Sequence, residues 1–238
     1  QLTVRFTMGF VNFVRISNQK IIFMKRTVVF LISLITVVSI QCSHPDMMEE
    51  QNKKQKVDYA IAIHGGAGNT SPADLPNSVR NKYRKKLQEA LTTGKNLLED
   101  SVSAIETVEQ VIQVLENSPL FNAGKGAVFT HQGTNELDAS IMNGANLNAG
   151  AVAGVKDIKN PISAAKSVMN NSDHVMLAGS GASRFARLQG LEIVDSSYFY
   201  TERRWKSLQN HLKADKHGTV GCVVLDKQGN IAAGTSTG

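Results

Sequence analysis

A threonine near the C-terminal end of the 238-residue sequence stands where a hydroxyl could become a nucleophile. Thr219 follows His217 and Gly218 and opens an apolar stretch that is typical of a β-strand. A threonine hydroxyl is a weak nucleophile unless a neighbouring base takes its proton, and no Ser-His-Asp pattern is evident here. Taken by itself, Thr219 is therefore better explained as a β-branched residue in a strand.

Cleavage of the bond between Gly218 and Thr219 would change this interpretation, because Thr219 would then carry a free α-amino group. Such a group has a reference pKa of about 7.7–8.0, so a useful fraction is neutral at physiological pH. The amine would lie beside the hydroxyl of its own residue and could serve as its base. Gly218 has no side chain to obstruct the approach of Thr219 to the preceding carbonyl.

Three further stretches combine glycines or carboxylates in patterns that could do chemistry. The loop His64–Gly68 follows an apolar run, but no G-x-G-x-x-G, GK[ST] or G-x-S-x-G motif accompanies it, so by itself it predicts a tight turn. Phe121–Gly126 also predicts a glycine turn when taken alone. Glu136 and Asp138 share a strand face and could form an acid–base pair, although a solvated edge or a structural network is commoner.

Helices and strands alternate around these residues. The apolar run from Tyr59 predicts a strand, and residues 78–100 and 101–118 repeat apolar residues at helical spacing. Ser103 with Glu106 predicts a capping box for the second of these helices.

The next part of the chain changes character. Residues 119–155 alternate short β-rich runs with Gly and Asn turns, which predicts a meander of strands. Asn160 and Pro161 predict a third helix, with Asn160 as its cap and Pro161 at its first position. Residues 196–217 are polar and aromatic, and we expect a helix followed by a mobile stretch.

The C-terminal stretch predicts a hairpin. The strand that begins at Thr219 is apolar on both faces, which predicts burial on both sides. A turn over residues 226–230 leads into a second strand, in which the sequence ends at Gly238. We therefore expect this chain to be a fragment whose further strands lie beyond Gly238.

The positive charge of the chain does not indicate a nucleic-acid partner. The formal net charge is +6, but residues 1–60 hold eight basic and four acidic side chains and so carry four of those six charges. An excess confined to an N-terminal tail is not the basic face of a nucleic-acid-binding domain. The two cysteines, Cys42 and Cys222, are too few for a disulfide framework or a cysteine-based metal site.

Residues 24–42 have the pattern of an export signal. Lys25 and Arg26 precede an apolar run of about 14 residues, which is short for the roughly 20 that span a bilayer and typical of a signal-peptide core. Cys42 follows this core, as in bacterial lipoprotein signals, where the cysteine is lipidated after cleavage; Gln41 departs from the usual small residue. We expect a periplasmic protein or one anchored to the membrane through Cys42, with plain secretion as the alternative.

The remaining N-terminal segments are not expected to belong to the folded part. Residues 1–23 precede a plausible start at Met24, and we leave them out of the fold as a non-native upstream extension. Residues 43–57 are polar and predict a flexible tether.

Taken together, the motifs resemble the plant-type asparaginase / isoaspartyl aminopeptidase family of N-terminal nucleophile hydrolases. The resemblance runs from about Tyr59 to Gly238, and the combination of motifs is specific where no single one is. The matching stretches are AIHGGAG, PLFNAGKGAVF, ELDASIM, NAGAVAGV, NPISAA, HVMLAG and HGTVGCVVLDKQGN with AAGTSTG.

The resemblance implies an α+β fold, a four-layer αββα sandwich, and a precursor that cleaves itself between Gly218 and Thr219. Residues 58–218 would form the α subunit, and 219–238 would begin the β subunit. The family also implies an (αβ)2 homodimer of processed protomers.

The resemblance also implies the chemistry of the site. The hydroxyl oxygen of Thr219 would be the nucleophile that attacks the side-chain amide of L-asparagine or the isopeptide carbonyl of a β-aspartyl peptide. The N-terminal amine of Thr219 would be the base that takes the hydroxyl proton. Thr237 would hydrogen-bond near it and Asn122 would shape the site. A sodium ion without a catalytic role would be held by main-chain carbonyls of one loop, namely Leu115, Glu116, Ser118, Phe121, Ala123 and Lys125.

The groups that bind the substrate in the family, and its oxyanion hole, correspond to positions beyond Gly238. We therefore expect the fragment itself to be inactive and its full-length parent to be the enzyme. Two alternatives remain: a glycosylasparaginase, whose nucleophile typically follows His-Asp, and a lipid-tethered binding protein of the same fold that has lost processing.

Overall fold

The computed structural model describes residues 11–12, 58–66, 75–211 and 219–238. The helices in these ranges are α1 (Asn77–Glu99), α2 (Ala104–Glu116), α3 (Pro161–Asn171), α4 (Gly179–Leu188) and α5 (Glu202–His211), with single 3-10 turns at Gly124–Gly126 and Ser196–Phe199. The strands are β1 (Val11–Asn12), β2 (Ala60–His64), β3 (Leu137–Asn143), β4 (Asn148–Val155), β5 (Met176–Ala178), β6 (Thr219–Leu225) and β7 (Ile231–Thr237).

The strands form one mixed sheet in the order β1-β2-β6-β7-β3-β4-β5. All neighbours pair antiparallel except β4 and β5, which are parallel and are connected through α3. The predicted hairpin of β6 and β7 is confirmed and lies in the middle of the sheet. A mixed sheet with packed helices confirms the α+β class.

Helices α2 and α3 lie close against one face of the sheet because glycines stand where they cross it. A Cβ atom on Gly234 would lie 2.7 Å from Val108 Cγ1 of α2. A Cβ atom on Gly150 would lie 2.1 Å from the carbonyl oxygen of Ala165 in α3. Both distances are too short for a real side chain, so only glycine permits this packing. The core between helices and sheet includes Ile63, Val108, Ile112, Leu115, Ile141, Val152, Ile162, Val168, Val220, Cys222 and Val224.

The opposite face of the sheet is open. Met142, Val223 and Ile231 are 42%, 49% and 55% exposed. The prediction that the strand after Thr219 is buried on both sides is therefore wrong for the chain described here. Val220 and its alternate neighbours pack under the helices, whereas Val223 lies on the open face. We call these two sides the covered face and the open face.

Two helix starts follow the predicted signals differently. Ser103 Oγ accepts a hydrogen bond of 3.4 Å from the Glu106 N–H, which confirms Ser103 as the cap of α2. The reciprocal half of the predicted capping box is not formed, because the Glu106 carboxylate pairs with Lys166. Pro161 is the first residue of α3, also as predicted. Asn160 occupies the cap position but does not cap the helix, because its Nδ2 donates instead to Glu116 Oε2 at 3.0 Å.

The predicted meander over residues 119–155 is reduced to the strands β3 and β4. In the segment before β3, side chains rather than a neighbouring strand satisfy backbone groups. Asn135 Nδ2 donates to the carbonyl oxygens of Ala127 at 3.1 Å and Val128 at 2.9 Å. The helix predicted after residue 196 is present as α5.

The N-terminal segments are described only at β1, which pairs with β2 and comes from the stretch that we left out of the fold. The predicted signal at 24–42, the tether at 43–57 and the stretch 212–218 lie outside the described residues. Within the described ranges, every helix is too short or too polar to cross a bilayer.

Candidate active site

Thr219 lies at the first position of β6, directly opposite Thr237 of β7. The Thr219 hydroxyl donates a hydrogen bond of 3.2 Å to Thr237 Oγ1. Both side chains are partly exposed on the open face. Cross-strand neighbours have Cβ atoms about 5 Å apart, so the register of the hairpin alone brings the two hydroxyls together. Gly218 lies outside the described residues.

Asn122 joins this pair from the loop after α2. Its Nδ2 donates to Thr237 Oγ1 at 3.4 Å, and its Oδ1 accepts from the Val128 N–H at 2.8 Å. The second bond fixes which side of the amide faces Thr237. Asn122 is 6% exposed, so its amide is held in a buried position with little freedom to rotate. The structure thus brings together all three predicted catalytic residues, Thr219, Thr237 and Asn122.

The glycine loop after β2 borders the same site. His64 pairs with Gly221 across β2 and β6. Gly66 has φ +113°, a conformation that favours glycine, and a Cβ there would lie 3.6 Å from the carbonyl oxygen of Thr219. Gly66, in the loop that alone predicts only a tight turn, therefore lies against the backbone of Thr219, and Ala67 and Gly68 lie outside the described residues.

The loop from Leu115 to Gly126 is closed on itself by two glycines. A Cβ on Gly124 would lie 2.4 Å from the carbonyl oxygen of Glu116, and one on Gly126 would lie 2.0 Å from that of Phe121. Both oxygens belong to the predicted sodium-binding set. Carbonyl oxygens are suitable ligands for a hard cation, and the resemblance implies a main-chain sodium site in this loop. Clusters of three or more His, Cys, Asp or Glu that could hold a metal are absent from the described ranges.

The side chain of Glu116 has a role that the sequence did not predict. Its Oε1 accepts from Ser236 Oγ at 2.7 Å and from the Ile162 N–H at 3.0 Å, and its Oε2 accepts from Asn160 Nδ2 at 3.0 Å. Burial raises the pKa of this carboxyl to about 7, although the hydrogen bonds oppose the shift. The carboxylate, not Asn160, therefore caps α3. The signal for this role in the sequence was a glutamate in the last turn of an otherwise apolar helix.

Helix α5 is attached to the same loop by two arginines that sequence reasoning also missed. Arg204 Nε donates to the Gly126 carbonyl at 2.7 Å, and burial lowers the pKa of this guanidinium to about 10. Arg203 Nη2 donates to the carbonyls of Pro119 at 2.8 Å and Leu120 at 2.9 Å. The helix that precedes Thr219 in the sequence thus braces the loop that carries Asn122.

Glu136 and Asp138 do not form an acid–base pair. Glu136 pairs with Lys156 at 2.9 Å, and Asp138 Oδ1 accepts from the Gly154 N–H at 2.7 Å. Because each carboxylate has its own partner, both are better explained as structural residues than as an acid–base pair. Asp138 lies opposite Thr237 in the sheet, where it borders a shallow depression of about 260 Å³ on the open face.

Comparison with known proteins identifies the family of the chain. A family model described as Asparaginase matches residues 57–238. An isoaspartyl peptidase of Escherichia coli (strain K12) is 45% identical over 193 residues, 75% of this chain and 60% of that protein. A putative isoaspartyl peptidase/L-asparaginase of Dictyostelium discoideum is 38% identical over 229 residues, covering 79% and 65%. A plant-type L-asparaginase of Pyrococcus furiosus is 41% identical over 199 residues, covering 75% and 63%.

The chain thus spans 60%, 65% and 63% of the lengths of these three relatives. The matched region contains the hydroxyl pair of Thr219 and Thr237, Asn122 and the glycine-closed loop. The chain belongs to the asparaginase family of N-terminal nucleophile hydrolases, together with the isoaspartyl peptidases and plant-type L-asparaginases that it resembles.

Proposed function

We propose that the full-length protein is an autocatalytically processed threonine hydrolase that releases L-aspartate from β-aspartyl peptides and L-asparagine. The observation that carries this proposal is the hydrogen-bonded series Thr219–Thr237–Asn122 at the start of β6. The printed names of the relatives, isoaspartyl peptidase and L-asparaginase, support the substrate class.

Processing begins with the hydroxyl of Thr219. Its oxygen attacks the carbonyl carbon of Gly218, the C–N bond between the two residues breaks, and the freed nitrogen takes up the proton. This leaves an ester between Gly218 and the Thr219 oxygen. Water then hydrolyses the ester, so that one chain ends in the Gly218 carboxylate and the other begins with the Thr219 amine.

Turnover uses the new amine as the base. The amine takes the proton of the Thr219 hydroxyl while the oxygen attacks the side-chain carbonyl of the substrate. The amine then passes this proton to the amide nitrogen of the substrate, the C–N bond breaks, and ammonia or the amine of the downstream peptide leaves. A β-aspartyl ester of Thr219 results, and water releases aspartate from it. The hydrogen bond to Thr237 Oγ1 sets the direction of the Thr219 hydroxyl, and Asn122 holds Thr237 in turn.

The open face of the sheet supports the proposal of a four-layer fold. We infer that a second sheet, contributed by residues beyond Gly238, covers this face and completes a four-layer αββα sandwich. The same residues would supply the groups that bind the substrate. The exposed apolar side chains Met142, Val223 and Ile231 are those that such a sheet would bury. Assembly of processed protomers into an (αβ)2 homodimer belongs to the same proposal.

A sodium ion would be held by the main-chain oxygens of Leu115, Glu116, Ser118, Phe121, Ala123 and Lys125. It would stabilise the loop of Asn122 and take no part in the chemistry. Because a ligand that binds only the folded state raises its stability, replacing sodium chloride by choline chloride should lower the Tm of the full-length protein. An unchanged Tm would argue against the ion.

Export is proposed from the sequence alone, through a signal at 24–42 and lipidation of Cys42. Metabolic labelling with a radioactive fatty acid should mark the full-length protein and should fail to mark C42S. Labelling of both would place the lipid elsewhere, and labelling of neither would favour plain secretion.

Intact-mass measurement of purified full-length protein tests the main proposal. Two chains are expected, the second starting at Thr219, and T219A should stay uncut. Uncut wild-type protein would contradict processing and would favour a binding protein of this fold. Parallel assays with β-Asp-Leu, L-asparagine and a glycosylated asparagine decide the substrate, and activity restricted to the last would indicate a glycosylasparaginase.

A further inference from the structure

Glu116 joins three elements around a single buried carboxylate. It is the last residue of α2 and is fully buried, and its three hydrogen-bond donors come from β7, from the first turn of α3 and from the residue before α3. Burying a carboxylate is costly, and apolar residues of similar volume often serve stability as well or better. A role in geometry therefore explains its position better than a role in stability.

The hydrogen bond between Glu116 and Ser236 of β7 lies one residue away from Thr237, a member of the hydroxyl pair. Ser236 immediately precedes Thr237, and successive side chains of a strand face opposite sides of the sheet. Ser236 accordingly lies 1% exposed on the covered face, where it binds Glu116, while Thr237 lies on the open face opposite Thr219. The hydrogen bond from Ser236 to Glu116 on the covered face therefore fixes the backbone that carries the Thr237 side chain.

The loop that begins at Glu116 reaches the same hydroxyl from the other side. Asn122, six residues later, donates to Thr237 Oγ1. Residue 237 is therefore held twice, by the Asn122 amide at its hydroxyl and by the Glu116–Ser236 hydrogen bond at its backbone. Both restraints start from the C-terminal end of α2.

We propose that Glu116 is a positioning residue that, through Ser236, holds the Thr237 hydroxyl in place for the Thr219 nucleophile. This inference rests on the processing proposed above and deepens it by naming a residue that acts without touching the substrate. Ser236 is the relay, and its hydroxyl serves the site only through the bond to Glu116.

The test measures how fast full-length precursor yields the chain that begins at Thr219. E116M removes the acceptor at nearly constant length, S236A removes the donor, and E116Q keeps one acceptor oxygen. E116M and S236A should each slow processing by about tenfold, the rate equivalent of one hydrogen bond. E116Q should process faster than E116M. The double variant should be no slower than the slower single variant, because both changes break the same contact.

Two controls separate positioning from loss of stability. V168A opens a cavity in the core of α3 and should lower Tm without slowing processing well below the melting temperature. E106Q removes a carboxylate of α2 that pairs with Lys166 and does not reach β7, so it should process like the wild type. If E116M proves unable to fold, S236A still tests the relay because it removes one hydroxyl only.

Wild-type processing rates in folded E116M and S236A would overturn the positioning role and leave the proposed function intact. So would single effects that multiply in the double variant, because Glu116 and Ser236 would then act separately. Wild-type protein that stays uncut would instead overturn the proposed function, and with it the reaction that Glu116 is proposed to serve.

Discussion

The covered and open faces of the sheet are built from the same strands but obey different constraints. In β6, Val220, Cys222 and Val224 are buried under helices, whereas Val223 between them is 49% exposed. In β7, Gly234 touches α2, whereas Thr235 and Thr237 lie on the same side as Thr219. On the covered face the side chains pack against helices, and at Gly150 and Gly234 the helices leave no room for a side chain. On the open face the same backbone can carry hydroxyl groups.

This difference separates the residues that set the fold from those proposed to do the chemistry. The covered face determines the spacing and register of the strands, and the hydroxyls of Thr219 and Thr237 take their positions from that register. Glu116 and Ser236 link the two faces at the site, because their hydrogen bond lies on the covered side of the strand that carries Thr237. Substitutions on the covered face should therefore act mainly on stability, and those at the hydroxyl pair on chemistry.

The largest effect is expected where a helix touches the sheet backbone. G150A would place a Cβ 2.1 Å from the Ala165 carbonyl oxygen and 2.5 Å from the Met169 nitrogen, and backbone atoms cannot move aside as a side chain can. Urea unfolding of the full-length protein should show a loss of about 3 kcal/mol or more. The matched control is G181A in α4, where nothing lies within 4 Å of the added Cβ. A comparable loss in G181A would remove the steric explanation.

The next effect compares neighbouring valines of β6. V224A on the covered face should cost about 2 kcal/mol in unfolding free energy, the transfer of two methyl groups plus a small cavity. V223A should cost a similar amount in the full-length protein if a second sheet covers the open face. A change within about 0.5 kcal/mol, as for a surface residue, would show that Val223 stays exposed and would contradict the four-layer proposal.

A smaller effect is expected at Asp226, which ties the turn of the hairpin to the covered side. It is 2% exposed and accepts from the Asn230 N–H at 2.8 Å and the Ala104 N–H at 3.2 Å. Burial by itself would raise the pKa of this carboxyl, but these hydrogen bonds outweigh burial and the net pKa is lowered. D226N should cost about 1–2 kcal/mol near neutral pH.

The sign of the pH dependence at Asp226 follows from its lowered pKa. The stabilisation is fully present above the unfolded pKa of about 3.9 and is lost as pH falls through the folded pKa. Urea titrations of D226N between pH 5 and 3 should therefore show a shallower fall in stability than the wild type. Parallel curves would mean that Asp226 carries no such linkage.

The smallest effect is expected at an exposed hydrogen bond on the open face. Ser140 and Thr235 share an exposed hydrogen bond of 3.2 Å between β3 and β7. S140A should change the unfolding free energy by no more than about 0.5 kcal/mol. A loss as large as that of V224A in the same measurement would show that the two faces are not as different as proposed.

Local signals in the sequence predicted local structure well. The Ser103 cap, Pro161 at the start of α3 and the hairpin after Thr219 depend on neighbours within a few residues, so they could be predicted before any fold was known. The pairing of Thr219 with Thr237 was implied by the family resemblance, and the register of the hairpin agrees with it. The exposure of Val223 could not be predicted, because it depends on which elements pack on each side of the strand.

Local patterns in the sequence were enough to predict the helices α1, α2, α3 and α5, the hairpin of β6 and β7 and a threonine that could combine nucleophile and base, because turn chemistry and spacing act over short distances. The α+β class followed from the order of the motifs through the family resemblance. That Glu116 caps α3 and reaches Ser236, and that Arg204 holds the loop at Gly126, became visible only in the folded chain. Residues 116 and 236 are 120 positions apart in the chain. Contacts over such separations depend on how helices pack on the sheet, which no local pattern encodes.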